Sequence, residues 1–411
     1  MISGRTARAH VVVLHRWRDR YADYARYLDH DAFVVTYVTT ELGRRSVPGR
    51  AAGVARVAAT DDFTEVRAAV AGLAARFGPP RHVVALNEGD LDTAAALRGE
   101  LGCGGQDSAA LARFRDKLTM VAAVAAAGLP VPATADAPDA AAVAAFAARH
   151  GWPLVVKPRR GTASRDVLVM RSPADLSRLD GRPPEPRLVQ TYVADPILHV
   201  DGVWTGDALG PWRASRYVNT CLDFAEGVPL GSVEVDDPGL LGPLEGFTAA
   251  VGAALGPAPW VFHLEVFAGT GPSGAPAFVF LEAGARVGGA EIPFVWREVH
   301  GFDLMAAAVD IQLGRPPAAG SLPYGETAGW LLLPVPVAPP CRVVGCDGPA
   351  PAGDGPYAQV VPRVGTVIPR AGGYEHVGAR FRFRGPSSRE VEAALARTAA
   401  WAGLRCEPVP G

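Results

Sequence analysis

The sequence lacks the features that mark membrane, secreted and nucleic-acid-binding proteins. None of its apolar runs approaches the ~20 residues that span a bilayer. The run behind the basic N-terminal segment, Val11 to Leu14, is too short for a secretory signal. Lys and Arg number 40 against 42 Asp and Glu, so the net charge of −2 gives no attraction for nucleic acid or an anionic membrane. We therefore expect a cytoplasmic protein that binds neither.

Cysteine is scarce, and its spacing indicates no metal site. The chain has five cysteines and no CxxC motif. Cys341 and Cys346 could pair or bind a metal, but no second Cys or His pair with metal-ligand spacing accompanies them. We expect reduced thiols, as is usual in the cytosol.

The glycine patterns of the common nucleotide-binding loops are also missing. The first apolar strand leads into "HRWRDR" without GxGxxG, which disfavours dinucleotide binding at that turn. The glycines of "LGCGGQD" (101–107) follow a helical pattern, and we interpret them as a helix end and linker. No Walker A loop surrounds Lys157.

The remaining features are those of a multidomain globular protein. At 411 residues, with 49% hydrophobic and 20% charged residues, the chain should form two or three domains. In the first hundred residues, short β-branched runs alternate with helical patterns, including a helix expected over 18–28. That alternation predicts a small parallel sheet covered by helices.

Further along, the pattern changes to helices followed by hairpins. "LVVKP" (154–158) and "GTASRDVLVM" (161–170) read as a hairpin carrying Lys157, and "WVFHLEVFA" (260–268) and "AFVFLEAG" (277–284) as adjacent antiparallel strands. After a helix at 302–314, the chain becomes Pro-rich and strand-like. The expected units are an N-terminal αβ domain (1–106), a subdomain with a glycine-rich lid (107–195), a subdomain with paired carboxylates (196–315) and a small β-rich C-terminal module (316–411).

Two acidic residues stand near the ends of the later hairpin strands. Glu265 and Glu282 each follow an apolar run, and on adjacent strands they could meet across the ladder. Two such carboxylates would repel unless a cation lay between them, and oxygen ligands with phosphates suit Mg²⁺. Alternatively, Glu282 pairs with Arg286 and Glu265 forms a core hydrogen bond. His263 shares a face with Glu265 by period-two alternation, as a site residue or as a satisfied core histidine.

Lys157 and the stretch after Glu282 add cationic and glycine-rich elements. Lys157 precedes Gly161, Thr162 and Ser164, small residues whose N–H groups can approach a phosphate, although a lone lysine hairpin is more often structural. In "FLEAGARVGGAEIP" (280–293), the glycines make a helix a poor choice, since each costs about 1 kcal/mol in a helix interior. A strand end opening into a glycine loop is therefore predicted there.

Together these pieces resemble the ATP-grasp superfamily, particularly its carboxylate–amine ligases of the dipeptide-forming and natural-product kind. The resemblance runs in order over 107–314 and rests on the ordered set "RDKLTM", "AAGLPVP", "PLVVKPRRGTAS", "LVQTYV", "HVDG", "FHLEVF", "FLEAGARVGG" and "GFDL". It implies an α/β (α+β) ATP-grasp fold with a parallel pre-ATP-grasp domain at the N-terminus, a core of two subdomains and the β-rich C-terminal module.

The resemblance also implies roles for individual residues. Lys117, Lys157, Gly161 and Ser164 would contact ATP phosphates, with Lys157 also catalytic; adenine would lie against the hinge of Gln190, Tyr192 and Val193, and His199 would bind ribose. Glu265 and Glu282 would bind Mg²⁺, with Mn²⁺ as an alternative. Arg286 would neutralise the transferring phosphoryl group. Gly288 and Gly289 would admit the substrate carboxylate, with Arg216, Tyr217, His263 and Glu291 as further candidate substrate contacts.

The implied reaction joins a small carboxylate and an amine through an acyl-phosphate, releasing ADP and phosphate, with a homodimer as the default assembly. Two positions depart from the family pattern. Gly284 stands where many relatives have a metal-binding Asn, and "SRDV" replaces the usual lid sequence Ser-x-Gly-Val. The alternatives are an ATP-grasp enzyme using bicarbonate, a thiol or a hydroxyl as nucleophile, or a nucleotide-binding regulator without turnover.

Overall fold

The computed structural model describes residues 8–17, 20–162, 164–181, 185–323, 325–346, 355–369 and 377–409. Of the helices in these ranges, none combines the length and apolar character needed to cross a membrane.

The N-terminal segment forms the parallel sheet that its sequence predicts. Its strands run in the spatial order β3-β2-β1-β4, and every pair is parallel. The strands are β1 (His10–His15), β2 (Val34–Thr39), β3 (Gly53–Arg56) and β4 (His82–Ala85), and the helices are α1 (Tyr24–Tyr27), α2 (Phe63–Phe77) and α3 (Leu91–Leu101). Because β1 is flanked by β2 on one side and β4 on the other, the chain changes direction across the sheet at β1.

The helix expected over 18–28 is wrong in length. Only the single turn α1 forms within the described residues, and Arg18 and Asp19 lie outside them. Tyr24 is buried and meets His15 and Tyr37 edge-on, at centroid distances of 5.0 and 5.6 Å. Aromatic packing onto the sheet therefore outweighs the helical spacing of the tyrosines.

A second unit carries the predicted lysine hairpin. Its four-stranded sheet has the order β5-β8-β6-β7. The elements are α4 (Ser108–Arg115), α5 (Lys117–Ala126), β5 (Thr134–Asp136), α6 (Ala140–His150), β6 (Leu154–Pro158), β7 (Leu168–Met170) and β8 (Arg187–Thr191). Antiparallel pairing of Leu154 with Met170 confirms the hairpin. Asp116 caps α5 by accepting hydrogen bonds from the backbone N–H groups of Leu118 and Thr119, which fixes the start of the helix at Lys117.

An eight-stranded antiparallel sheet forms the centre of the chain. Its order is β13-β12-β9-β10-β11-β14-β18-β16. The elements are β9 (Ile197–Trp204), β10 (Leu209–Val218), α7 (Cys221–Ala225), β11 (Leu230–Glu234), α8 (Pro238–Leu255), β12 (Trp260–Thr270), β13 (Pro276–Gly284), α9 (Ile292–Val299), α10 (Leu304–Gln312), β14 (Thr327–Pro334), β16 (Ala358–Val360), β18 (Val377–Gly385) and α11 (Ser388–Trp401). The β12–β13 pairing confirms the predicted carboxylate hairpin.

The C-terminal segment is β-rich, as predicted, and most of it continues the central sheet. β14 pairs with β11 on one side and with β18 on the other, so these strands share one ladder with the preceding segment. A separate three-stranded sheet is formed by β15 (Cys341–Cys346), β17 (Val367–Ile368) and β19 (Leu404–Pro408). None of the five cysteines, all of which lie in the described ranges, takes part in a disulfide.

The two faces of the central sheet differ sharply in polarity. On one face, Leu198, Val200 and Leu264 join the buried core with Leu244 and other side chains of α8. Residues one position away along each strand point to the opposite face, because side chains alternate across a strand. That opposite face carries the candidate site.

Candidate functional site

Polar side chains form a row across one face of the central sheet. The register places Glu282 opposite Glu265, Glu265 opposite His199, and His199 opposite Ser215. Residues paired in this way point to the same side of a sheet. By the same register, the face continues through Tyr217, Ser232, Trp330 and Arg382 on β10, β11, β14 and β18.

The two carboxylates predicted to bind metal are direct cross-strand neighbours. Their Cβ atoms should lie about 4.5–5.5 Å apart, as in any opposed antiparallel pair. Glu265 accepts a hydrogen bond of 2.8 Å from the Tyr217 hydroxyl, and Glu282 lies 3.5 Å from Lys117 Nζ. The Glu282 side chain is 33% exposed and that of Glu265 is 18% exposed, so both are open to a ligand. Paired carboxylate oxygens of this kind fit Mg²⁺.

Both predicted phosphate-binding lysines converge on these carboxylates. Lys117, at the first position of α5, also donates to the Gly161 carbonyl at 2.9 Å. Gly161 belongs to the predicted glycine-rich lid, the segment "RRGTAS" (159–164). Lys157 on β6 is buried, and burial lowers its pKa to about 8, although the nearby Glu282 and Glu265 carboxylates act in the opposite direction. The lid also contains Ser164 in a left-handed backbone conformation, with φ of 55°.

A buried His–Asp–His network lies behind Glu265. Asp201 accepts from His199 Nδ1 at 2.7 Å and from His263 Nδ1 at 2.9 Å, and His199 Nε2 contacts the Ser232 hydroxyl at 2.7 Å. His263 Nε2 is 3.6 Å from Glu265. One side-chain atom from each of His199, Asp201 and His263 lies within 4.8 Å of the other two, which is close enough for a shared metal ion. The hydrogen bonds among these side chains account for this closeness.

The charges of this network stabilise one another. Burial lowers the pKa of His263, but the Asp201 and Glu265 carboxylates outweigh it and raise the pKa to about 9. Burial likewise raises the pKa of Glu265, but His263 and Tyr217 outweigh this effect and lower the pKa below its usual range. The pKa of Asp201 is held well below its usual range in the same way. Glu265 is therefore ionised and held in place by a hydrogen-bonded cation.

The glycine loop lies directly against this network. A Cβ added at Gly288 would clash with Asp201 Oδ1, and it would lie 2.6 Å from Ile292 Cδ1 and 2.9 Å from His263 Nδ1. Only glycine allows the backbone to approach these groups so closely. The next residues turn sharply, since Ala290 adopts a left-handed conformation with φ of 54°.

Arg286 is held by a residue from the N-terminal sheet. Its Nε donates to Glu88 at 2.7 Å, and Glu88 also pairs closely with Arg115. Burial raises the pKa of Glu88, but Arg286 and Arg115 outweigh it and lower the pKa. Arg115 contacts Asp92 at 3.0 Å, and Asp92 in turn contacts Arg160 of the lid at 2.9 Å. Ion pairs thus connect Arg286 with the lid.

Three of the residues predicted to bind ribose or substrate lie where direct contact with a ligand is unfavourable. His199 is 1% exposed with both ring nitrogens engaged, because it is part of the buried network. Arg216 lies opposite Leu198 on the other face of the sheet and pairs with Glu392 of α11 at 2.7 Å. Glu291 is enclosed by arginines, with its side chain 1% exposed. Period-two alternation separates Arg216 from Tyr217, which does face the site.

The predicted adenine hinge begins within β8 at Gln190 and continues past the end of the strand to Val193. Gln190 is buried, and its amide donates to the Thr134 hydroxyl at 3.0 Å, while Tyr192 is exposed. The Tyr192 backbone N–H donates to the Pro153 carbonyl at 3.3 Å. The backbone from Gln190 to Val193 therefore connects the lid sheet to the central sheet, and its adenine-binding role remains a prediction.

Glu88, Arg115 and Asp201 were not predicted from the sequence as site residues. Asp201 could have been predicted, because it stands two residues after His199 in "HVDG" and therefore shares its face of the strand. Glu88 follows β4, at the carboxyl edge where open parallel sheets bind ligands. Arg115 had no such signal, because its partner Glu88 comes from a different unit.

Comparison with solved structures supports the fold. An L-amino acid ligase from Bacillus licheniformis superposes with a TM-score of 0.73 at 16% identity, over 97% of this chain and 98% of the other. Phosphoribosylglycinamide synthetase from Anaerococcus prevotii gives 0.67 at 10% identity, over 97% and 99%. The biotin carboxylase domain dimer of Hydrogenobacter thermophilus 2-oxoglutarate carboxylase, in complex with MgADP, ADP and bicarbonate, gives 0.66 at 14% identity, over 97% and 90%.

No protein-family model matches the chain, and no curated protein matches it in sequence. At these low identities the superpositions establish the fold, which is the ATP-grasp fold.

Proposed function

We propose that this chain is an ATP-dependent ligase that activates a carboxylate as an acyl-phosphate and joins it to an amine. The observation that carries the proposal is the convergence of Glu265, Glu282, Lys117 and Lys157 on one face of the central sheet. Paired carboxylates beside two lysines are the chemistry needed to hold a nucleotide triphosphate with its divalent cation. Similarity to the fold of an L-amino acid ligase supports the choice of an amine as the nucleophile.

The protein groups supply positioning and charge neutralisation. Glu265 and Glu282 would hold Mg²⁺, which neutralises phosphate charge when bound. Lys117 links the lid carbonyl of Gly161 to Glu282, so it would position the phosphates as the lid closes. Lys157 adds a buried positive charge. Arg286, oriented by Glu88, would stabilise the negative charge that develops on the transferring phosphoryl group.

The acid substrate would enter beside the glycine loop. Gly288 keeps the backbone close to Asp201 and His263, so the Gly288–Gly289 segment would offer N–H groups to a substrate carboxylate. His263 and Asp201 act as positioning residues, since they hold Glu265 through hydrogen bonds and an ion pair. No side chain needs to act as a nucleophile in this reaction, because the substrate carboxylate itself attacks the γ-phosphate and the amine then displaces phosphate.

A different nucleophile is the principal rival within this fold. The carboxylase domain of the same fold was crystallised with bicarbonate, so ADP release alone would not identify the acceptor. Gly284 motivates a second rival, a nucleotide-binding regulator. A glycine at this position of β13 provides no side chain to act as a third metal ligand beside Glu265 and Glu282.

An ADP-release screen across pairs of amino acids, with bicarbonate, a thiol and a hydroxyl compound as alternative acceptors, tests the proposal. The expected result is Mg²⁺-dependent ADP release with particular acid–amine pairs, together with an amide product of the corresponding mass. ADP release only with bicarbonate or another acceptor would replace the amine assignment. ATP binding without ADP release in any mixture would favour the regulator.

A further inference from the structure

A continuous series of ion pairs runs from the lid to the candidate site. Arg160 of the lid contacts Asp92 of α3 at 2.9 Å, and Asp92 contacts Arg115, the last residue of α4, at 3.0 Å. Arg115 pairs closely with Glu88, and Glu88 accepts from Arg286 Nε at 2.7 Å. We call these five residues the ion-pair relay. It connects the lid with the loop after β13 by way of α3, α4 and the turn after β4.

The two carboxylates of the relay each serve two guanidinium groups with separate oxygen atoms. Asp92 accepts from Arg160 at Oδ1 and from Arg115 at Oδ2. Glu88 accepts from Arg115 at Oε1 and from Arg286 at Oε2. Because arginine often binds both oxygens of a carboxylate, loss of one guanidinium frees an oxygen that the other can take. The orientation of each carboxylate therefore depends on both of its partners.

Exposure divides the relay into a fixed inner part and an open outer part. The side chains of Arg115 and Glu88 are 9% and 16% exposed. Those of Asp92 and Arg160 are 44% and 53% exposed. An exposed ion pair changes an equilibrium constant by a factor of about five at most, so it breaks and re-forms easily. The Asp92–Arg160 contact is therefore the link at which the relay can open.

Arg160 stands where it would follow the lid when a nucleotide is bound. The carbonyl of its neighbour Gly161 accepts from Lys117 Nζ at 2.9 Å, and Lys117 lies 3.5 Å from Glu282. A nucleotide held by Lys117 and the lid would thus also restrict Arg160. The opposite end of the relay is Arg286, the cation assigned to the transferring phosphoryl group. The two ends of the relay would therefore act on the same phosphates.

We propose that the ion-pair relay couples the position of the lid to the orientation of Arg286, with Asp92 and Arg115 as positioning residues. When Arg160 leaves Asp92, both Asp92 oxygens become available to Arg115, and the hold of Arg115 on Glu88 weakens. Glu88 then loses one of the two guanidinium groups that orient it, so Arg286 loses a fixed acceptor. With the lid in place, the relay keeps Arg286 in its present orientation. This inference rests on the proposed ligase function.

Steady-state ADP release from variants of Asp92 and Arg160 tests the coupling. Arg160→Gln removes only the link to the lid, whereas Asp92→Asn also removes the charge beside Arg115. We expect kcat to fall about fivefold in Arg160→Gln and about tenfold in Asp92→Asn, with KM for ATP within about twofold, because the relay orients Arg286 and does not itself bind the nucleotide. Asp92→Glu and Arg160→Lys should retain most of the wild-type kcat, since they preserve the charges.

A double variant and a matched control show whether the effect belongs to this contact. Asp92→Asn combined with Arg160→Gln should be about as active as Asp92→Asn alone, because the two residues act through one contact. The control is Asp136→Asn on β5. Asp136 is 53% exposed and lies 3.4 Å from Arg159, the neighbouring arginine of the lid, but it is not part of the relay. Its kcat should stay within about twofold of the wild type.

A second measurement does not depend on turnover. Amide hydrogen exchange is followed in the lid and in α3, with and without Mg²⁺ and the non-hydrolysable ATP analogue AMP-PNP. In the wild type and in Asp136→Asn, we expect the analogue to slow exchange in the lid and also in α3, because the relay links them. In Arg160→Gln, the lid should still be protected, whereas the protection of α3 should disappear.

The outcomes separate the coupling from the ligase function. Loss of the α3 protection in Arg160→Gln, without ADP release from any mixture, would support the coupling and contradict the ligase. A wild-type kcat in Arg160→Gln, with or without a raised KM for ATP, would overturn the coupling, because the contact would then hold the lid at most. Independent losses that multiply in the double variant would also overturn it. So would α3 protection that is absent from the wild type or unchanged in Arg160→Gln.

Discussion

The Arg286 guanidinium donates from Nε to the Glu88 carboxylate at 2.7 Å, although the two residues are 198 positions apart in the chain. Glu88 belongs to the parallel N-terminal unit and Arg286 to the loop after β13. The contact therefore fixes a cation of the candidate site with a group from another unit. A charge positioned in advance can stabilise the transition state without further reorganisation.

Replacing Glu88 with Gln should reduce turnover more than ATP binding. The amide is nearly isosteric but removes the charge shared by Arg286 and Arg115, so both guanidinium groups lose their orientation. We expect kcat to fall about tenfold or more, with KM for ATP within about threefold. Steady-state ADP release measures both. Glu100→Gln removes an exposed carboxylate paired with Arg67 and serves as the control. An unchanged kcat in Glu88→Gln would contradict the positioning role.

The sequence predicted those parts of the site that depend on local strand geometry. Glu265 and Glu282 stand at equivalent places on two apolar runs joined by a short turn, so their pairing followed from hairpin geometry, and the structure confirms it. The shared face of His263 and Glu265 is confirmed for the same reason, since side chains alternate along a strand. Backbone periodicity carries this information, and it can be read without a structure.

Contacts between units could not be predicted in this way. Arg20 meets Glu291 and Glu88 meets Arg286 only because the parallel sheet docks against the central sheet, and no periodicity records that arrangement. His199 was expected to face a ligand, yet the hydrogen bonds to Asp201 and Ser232 make it part of a buried network. Such satisfied networks depend on the whole tertiary fold.

Glu282→Gln should abolish Mg²⁺-dependent ADP formation while leaving the protein folded. Glu282 is partly exposed and lies on the outer strand β13, so the loss of its charge removes a metal ligand rather than a buried core contact. We expect a loss of activity of about a hundredfold or more, with the unfolding temperature within a few degrees of the wild type. The control is Glu245→Gln at an exposed position of α8. Unchanged turnover in Glu282→Gln would rule out the metal assignment.

The kcat/KM for ATP should fall at alkaline pH because Lys157 loses its proton there. Burial lowers its pKa to about 8, so the charged form is present below that pH and lost above it. From pH 7 to pH 9 the protonated fraction falls from about 0.9 to about 0.1, which predicts an approximately tenfold loss of kcat/KM for ATP.

Lys157→Arg supplies the matched test, because a guanidinium stays charged across this range. Its kcat/KM for ATP should vary less between pH 7 and pH 9 than that of the wild type. A wild-type profile that is flat over this interval, or an identical alkaline decline in the variant, would show that another group is responsible.

The contribution of Lys157 to the free energy of unfolding should increase with pH, whereas kcat/KM for ATP should decrease. Its folded-state pKa lies below the ordinary value of 10.5, so the unfolded chain binds more protons between about pH 8 and pH 10.5. Considered alone, this lysine makes the free energy of unfolding rise with pH in that window. Comparing denaturant unfolding of the wild type with that of Lys157→Met at pH 8 and pH 10 isolates the effect, since the difference between the two proteins should change over this interval.

Gly288→Ala should disrupt the network that holds Glu265. The added Cβ would clash with Asp201 Oδ1 and lie only 2.9 Å from His263 Nδ1, so the Asp201–His263 hydrogen bond must break or the loop must move. We expect a loss of about 1–3 kcal/mol in the free energy of unfolding and a fall in kcat of at least tenfold. Chemical denaturation and ADP release measure the two effects. Gly246→Ala is the control, because a Cβ at this exposed position of α8 would meet no side chain or other packed group within 4 Å. At this interior position of the helix, alanine should stabilise the protein by about 0.5–1 kcal/mol. If Gly288→Ala behaved like Gly246→Ala, close approach of the glycine loop to Asp201 would not be needed for either folding or turnover.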